Sequence, residues 1–231
     1  MREAGALYDL IYGAKDYVDE VRTLHRHVRR LAPAASTWLD VACGTGKHLA
    51  ELRRDFQVEG VDVSPRQLTV ARERLPGVRL TRADMRELRL GRRFDVVSCL
   101  FSAIGLMRTL GDLRLATRRL AEHVGDGGVL VIEPWTFPEN WRDGNVSLDS
   151  VSATGLALAR ACVSSRRNRL TRLDFTYVYA TTTGTRTWRE RLEVRLSTRE
   201  ELLDAVARAG LEPSFDEAGL TGRGLVFGCR A

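Results

Sequence analysis

The stretch Leu39-Asp-Val-Ala-Cys-Gly-Thr-Gly46 constrains this chain more than any other. An apolar run that breaks at two closely spaced glycines reads as a buried strand entering a tight turn, and Lys47 to Phe56 then looks helical. Strand, glycine turn and helix together open a parallel α/β sheet, whose ligand crevice lies where the strands end. Small residues there let the backbone come close to a ligand. A dinucleotide cradle wants a third glycine where Leu49 stands, and a P-loop wants Ser or Thr after Gly46-Lys47, where His48 stands. What remains is a glycine loop that receives an uncharged or cationic group, with Asp40 placed to satisfy it.

The pattern repeats downstream. Val58 to Ser64, Val78 to Thr81, Phe94 to Leu100 and Gly128 to Glu133 read as strands, and helices are expected from Ser64-Pro65 to about Leu75 and from Gly111 to His123. A leading helix spans about 16–31. Alternating βα units predict a doubly wound, mostly parallel α/β sheet with helices on both faces. Past Trp135 the texture changes: Leu173 to Ala180 and Arg189 to Leu196 alternate apolar with polar residues, as antiparallel strands do. Thr198 to Ala209 carries a capping-box pattern stopped by Gly210, and Gly224 to Cys229 reads as a closing edge strand. At 231 residues the chain suits one domain with an insertion. Its expected parts are a helical cap over 1–35, a ligand-binding half over 36–135, an antiparallel β insertion over 145–197 after the fifth strand, and a closing helix and strand over 198–231.

Lys and Arg total 36 against 30 Asp and Glu, a net charge of +6 that favours anionic partners. Only Lys15 and Lys47 are lysines, and the arginines are spread along the chain rather than clustered, so no nucleic-acid partner is expected. The opening residues interrupt any apolar run with charges and tyrosines, and no later run approaches spanning length, so neither secretion nor a membrane partner is expected and the predicted location is cytoplasmic. Cys43, Cys99, Cys162 and Cys229 lack metal or redox spacing and are expected to be free thiols; no metal site is expected.

Asp62 ends the second strand 22 residues after Asp40, where Rossmann-like sheets place an acid for two ribose hydroxyls. Ala83-Asp84-Met85 follows the third strand, so that Asp84 can take an adenine amino hydrogen and Met85 can lie against the ring. The succession Asp-Val-Ala-Cys-Gly-Thr-Gly, strand-end acid, Ala-Asp-Met is similar to the cofactor motifs of class I S-adenosylmethionine-dependent methyltransferases, which have a seven-stranded sheet. The blocks Tyr8 to Tyr17, Ala83 to Arg86, Phe101-Ser-Ala-Ile-Gly105, Glu133-Pro-Trp-Thr-Phe-Pro-Glu139 and Gly222-Arg-Gly-Leu225 resemble bacterial N-methyltransferases acting on dTDP-linked deoxy amino sugars.

That resemblance implies S-adenosylmethionine as cofactor and a nucleotide-linked amino sugar as substrate. It also implies that Tyr8 and Tyr17 close over the cofactor, beside Asp40, Ala42, Gly44, Gly46, Asp62, Val63, Asp84, Met85, Leu100 and Phe101. Phe101, Ser102, Glu133, Trp135 and Arg223 are implied to line the substrate cavity. Leu106 and Thr136 stand where the family pattern has a histidine and a second tryptophan. Catalysis is expected mainly from positioning, with Glu133 or Tyr17 as a weak proton acceptor. Arg142, Arg160, Arg172 and Arg223 are candidates to clamp a diphosphate, and a homodimer formed through the insertion is expected to resolve its exposed edge. Two alternatives share the cofactor half: an O-methyltransferase of a sugar or small natural product, and an S-adenosylmethionine-binding RNA-associated or regulatory protein.

Overall fold

The computed structural model describes residues 3–231, with side chains from Leu7 onward. Helices α1 (Glu3–Ile11) and α2 (Tyr17–Leu31) lead into β1 (Thr37–Val41), α3 (Lys47–Leu52), β2 (Gln57–Asp62), α4 (Pro65–Arg74), β3 (Arg79–Arg82) and β4 (Phe94–Cys99). A short 3₁₀ turn, Ala103–Leu106, precedes α5 (Leu110–Ala121) and β5 (Val124–Ile132). Four long strands follow: β6 (Val146–Ala153), β7 (Leu156–Arg167), β8 (Leu170–Thr181) and β9 (Gly184–Arg195). The last elements are α6 (Arg199–Arg208), β10 (Glu212–Asp216) and β11 (Leu225–Cys229).

The main sheet has seven strands in the order β10-β11-β5-β4-β1-β2-β3, parallel except where β11 runs against both its neighbours. The order reverses at β1 and β4, which opens a crevice at their C-terminal ends. β1 and β4 are almost wholly buried because helices cover both faces. Leu39, Val97, Leu130 and Ile132 look into one core with α5 and α6, while Trp38, Val96, Val129 and Val131 look into another with α2, α3 and α4. Local chemistry fixes the helix starts: Ser64 accepts the Gln67 N–H with Pro65 in the first turn, and Thr198 and Glu201 form the reciprocal capping box.

Two expectations need correction. The final strand is not the edge: β11 sits between β5 and β10, and the edge strand is Glu212–Asp216, whose Pro213 and short length gave no periodic signal. The helix expected over Lys47 to Phe56 stops at Leu52 and continues as turns.

β6 to β9 form a separate antiparallel meander. Directly paired residues share a face, so Arg160, Tyr177 and Trp188 project to one side, and the pair Val163 and Asp174, three residues along, to the other. The inner face packs through Cys162, Leu173 and Val194 against Trp135 and Trp141.

Candidate active site

The glycine turn and three carboxylates gather at the tips of β1, β2 and β3. Asp40, fully inside the sheet, accepts a hydrogen bond from Ser98 Oγ at 2.7 Å, and Ser98 in turn accepts from Trp38 Nε1 at 2.8 Å. Burial pushes the Asp40 carboxyl up to about 6, against the opposing influence of His48 and the Ser98 bond. Asp62 accepts the Gly44 N–H at 2.8 Å on one oxygen and the Ser64 N–H at 2.8 Å on the other. Burial raises its pKa and those backbone donors offset part of the rise. Each oxygen keeps a lone pair, so the carboxylate still has capacity for two hydroxyls.

Backbone strain marks the same place. Ala42 (φ 64°), Phe101 (φ 52°) and Ser102 (φ 61°) all occupy the left-handed region, at a cost of about 1–3 kcal/mol each. Gly44 (φ 58°) does so freely, and a Cβ added there would meet nothing within 4 Å, so the loop is open above it. Gly46, expected to touch the ligand, has another reason to be glycine: a Cβ would lie 2.6 Å from Leu75 Cδ1, so it lets α4 pack close.

Helix α1 crosses this crevice. Tyr8 and Tyr12 pack on each other at 4.6 Å, and Tyr12 meets Phe101 edge-on at 4.9 Å. Asp9 pins the helix by accepting from Thr45 Oγ1 at 2.6 Å and from Arg74 Nη2 at 2.5 Å. Tyr17 stands edge-on to His48 at 4.9 Å, and burial followed by the nearby Asp9 and Glu20 charges pushes its hydroxyl far above the ordinary range. It therefore stays protonated. Lys15 Nζ lies 4.9 Å from the Tyr17 ring centroid and 4.8 Å from that of Phe101, so both faces accept a cation. Its counter-charge is Glu20, which also bonds His48 Nε2 at 2.8 Å. Tyr12, Lys15, Glu20 and His48 carry no spacing signal in the sequence; only the fold joins them.

On the other side, Glu133 is completely buried. One oxygen accepts the Phe101 N–H at 2.6 Å and the other accepts from Thr221 Oγ1 at 3.1 Å. The carboxylate thus clamps the strained Phe101-Ser102 turn rather than standing free as a base. Ser102 Oγ donates to the Pro134 carbonyl at 2.8 Å and accepts from Arg223 Nη1 at 3.1 Å, and the Arg223 guanidinium lies 5.0 Å from the Trp135 ring centroid. Trp135 Nε1 is buried without a hydrogen-bond partner among the described residues.

Other expected residues fall differently. Met85 is packed in the core, Leu100 is buried, and Val63 is exposed. Asp84 is engaged by Arg86 on both oxygens, and that hydrogen-bonded guanidinium holds its pKa below the usual carboxylate range. Arg142 is exposed in the loop after β5. Arg172 pairs with Asp174 on the outer face of the meander, away from Tyr177. Leu106, at the position of the family pattern's histidine, ends the 3₁₀ turn with its side chain exposed. The four cysteines are free. No helix among the described residues is long and apolar enough to cross a membrane.

A sheet that reverses at β1 and β4, with an open glycine turn and two buried carboxylates at its tips, defines a class I S-adenosylmethionine-dependent methyltransferase. A methyltransferase-domain family profile matches residues 39–128. The dTDP-3-amino-3,6-dideoxy-alpha-D-glucopyranose N,N-dimethyltransferase of Streptomyces fradiae is 42% identical over 98% of this chain and 90% of its own. Among solved structures, Streptomyces venezuelae DesVI superposes with a TM-score of 0.94 at 39% identity, covering 99% of each chain. CalS10 with bound S-adenosylmethionine, an amino pentose methyltransferase from Micromonospora echinaspora, superposes at 0.86 with 41% identity, covering 94% of this chain and 93% of that one. The chain belongs to this family of sugar N-methyltransferases, and S-adenosylmethionine is its cofactor.

Proposed function

We propose that the enzyme methylates the amino nitrogen of a dTDP-linked deoxy amino sugar. The observation that carries this reading is likeness along the whole chain to an N,N-dimethyltransferase of such a sugar, including both regions outside the cofactor half. The relatives act on different sugars, a 3-amino hexose and an amino pentose, so the shared chemistry is the amine rather than one ring.

Gly44, Asp40 and Asp62 would hold the cofactor, with Asp84, Val63 and the Tyr8 and Tyr17 rings around it. When bound, that group supplies a methyl on a positively charged sulfur. The acceptor nitrogen must be neutral to attack, and a buried site near a positive charge lowers an ammonium pKa without any base. Tyr17 and Phe101 offer ring faces to the positive charge that forms on nitrogen. Glu133 acts as a positioning residue: it fixes the backbone that presents Phe101 and Ser102. Ser102, Trp135 and Arg223 form the substrate side, with the Trp135 indole N–H as an unused donor.

Mass spectrometry after incubation with S-adenosylmethionine and a panel of dTDP-linked 3-amino, 4-amino and hydroxy sugars tests the reading. Added methyl groups on amino sugars alone are expected; methylation of the hydroxy sugars would replace it with O-methylation. Glu133→Gln, whose amide can accept from Phe101 and donate to Thr221, is expected to retain turnover within about tenfold. A loss of several orders with intact cofactor affinity would make Glu133 a base.

The enzyme is further read as a cytoplasmic homodimer, since both its cofactor and its substrate class are intracellular metabolites. Val146, Leu148 and Val163 form an exposed apolar patch on the outer face beside the unpaired edge of β6. Leu148→Arg is expected to shift the sedimentation mass from two chains to one.

A further inference from the structure

Of the 36 lysine and arginine residues only Lys15 and Lys47 are lysines, and both ammonium groups stand at one ring. Lys15 Nζ lies 4.9 Å and Lys47 Nζ 5.1 Å from the Tyr17 ring centroid, and Lys15 also lies 4.8 Å from that of Phe101. An ammonium is a compact point charge, whereas a guanidinium spreads its charge over a broad, flat fork of donors. The chain uses arginine at every other basic position and keeps the compact cation where a charge fits against two rings.

Lys15 is tethered rather than free: its side chain is 11% exposed and pairs with Glu20, in the first turn of α2, which also bonds His48 Nε2 at 2.8 Å. Burial opposes ionisation of Glu20, but its hydrogen bonds to His48 and Lys15 prevail and lower its pKa, so it stays a carboxylate at neutral pH. Lys47 donates to the Asp9 carbonyl at 3.4 Å, and the Asp9 carboxylate pairs with Arg74 of α4. The groups around the Tyr17 ring from α1 to α4 are thus the Lys15, Lys47 and Arg74 cations against the Asp9 and Glu20 carboxylates, with His48 bonded to Glu20. Asp40 and Asp62 have other partners, Ser98 Oγ for one and the Gly44 and Ser64 N–H groups for the other. The balance at the ring is positive.

Tyr17 and Phe101 are also the rings that meet the charge forming on the acceptor nitrogen in the proposed reaction. A cation held by either ring lies within about 6 Å of its centroid, so an acceptor nitrogen there is no more than about 11 Å from Lys15 Nζ. At that separation, with an effective dielectric constant of about 20, one unit charge moves a neighbouring pKa by about one pH unit. We propose that Lys15 keeps the acceptor amine in its neutral, nucleophilic form by repelling an ammonium that enters the site, while Glu20 fixes the lysine in place. The assignment rests on the reading that the acceptor is an amine. The amine sheds its proton to water; its lone pair then forms the new C–N bond as the C–S bond breaks and leaves its electron pair on sulfur. The methylated ammonium faces the same lysine and is driven to release a proton in turn, which a second transfer to that nitrogen requires.

The test is the pH dependence of kcat at saturating S-adenosylmethionine and dTDP-amino sugar, whose acid limb reports the amine in the loaded site. In the wild type that limb is expected about one pH unit or more below the pKa of the free sugar amine, measured by NMR titration. Lys15→Met, which keeps the stem and removes the charge, is expected to move the limb up by about one pH unit, and Lys15→Arg to leave it within about 0.3, whatever its rate. Glu20→Gln removes the opposing charge and is expected to move the limb down. A merely structural role would lower kcat at every pH without moving the limb. A Lys15→Met limb that coincides with that of the wild type overturns the proposal and leaves methyl transfer to nitrogen standing. Shifts of the same sign in Lys15→Met and Glu20→Gln overturn it as well. So does a wild-type limb at or above the pKa of the free amine, a measurement that needs no variant to fold. If the wild type methylates only hydroxy sugars, the amine reading is wrong and this assignment falls with it.

Discussion

The tips of the parallel sheet and the inner face of the meander both gather polar groups, but they are constructed in opposite ways. At the tips, carboxylates are buried, backbone donors are already committed to them, and three residues other than glycine are held at positive φ. Burial and strain fix the atoms before any ligand arrives, at a cost in stability. On the meander, arginines and aromatics stand on long, largely exposed strands with ordinary backbone, and their pairing comes from strand register. The first arrangement is preorganised for one invariant cofactor; the second can change its side chains without disturbing the fold.

Substitutions should separate the two. The largest effect is expected for Asp62→Ala, which removes the acceptor of two backbone N–H groups and the proposed acceptor of the ribose hydroxyls: S-adenosylhomocysteine affinity should fall by about 100-fold or more in calorimetry. A loss under tenfold would show that the tips are not preorganised around this acid. Glu133→Ala, which orphans the Phe101 N–H and the Thr221 hydroxyl, is expected to cost about 2–4 kcal/mol in denaturant unfolding. A cost near zero would mean that the strained turn holds itself.

Asp40→Asn should have the opposite sign. Because burial lifts its folded pKa to about 6, above its ordinary 3.8, the native state binds this proton more tightly than the unfolded chain. Stability is then greatest below the unfolded value and declines as pH rises from about 4 to 6. The amide removes that decline, so Asp40→Asn should be about 2 kcal/mol more stable at pH 7 and bind the cofactor more weakly. A Tm profile parallel to that of the wild type would contradict this. The smallest effect falls at the join between the regions, where Thr198→Ala removes a helix cap: about 1 kcal/mol and a drop of about 2–4 °C in Tm, with turnover unchanged.

The same contrast explains what could be read before the structure. Asp40, Gly44 and Asp62 were legible because each sits at a strand end whose apolar run is local, and spacing alone brings neighbouring tips together. The helix starts at Ser64 and Thr198 were legible for the same reason. Glu133 was found through its block, but its task was not, since Thr221 lies 88 residues away. The Lys15–Glu20–His48 network and the Arg160–Tyr177–Trp188 row depend on how elements dock and on exact register, which periodicity does not set. Arg172 was a candidate to meet a diphosphate, and register turns it to the face opposite Tyr177: in a strand, one residue separates the two faces. The edge strand at Glu212–Asp216 was missed because five residues with a proline carry no period.

The position of β11 has a consequence for assembly. It comes after every other element, yet it fills the gap between β5 and β10, and the segment leading into it brings Thr221 to Glu133 and Arg223 to Ser102. Pairing so distant in sequence is slow to form, because the chain must close a long loop before the contact rewards it. Until it closes, one side of β5 is bare and the turn at Phe101 lacks half its clamp. Chains in which this strand has not yet paired would therefore hold a nearly complete cofactor half without the Thr221 and Arg223 contacts, a state in which binding the donor and using it are separated in time.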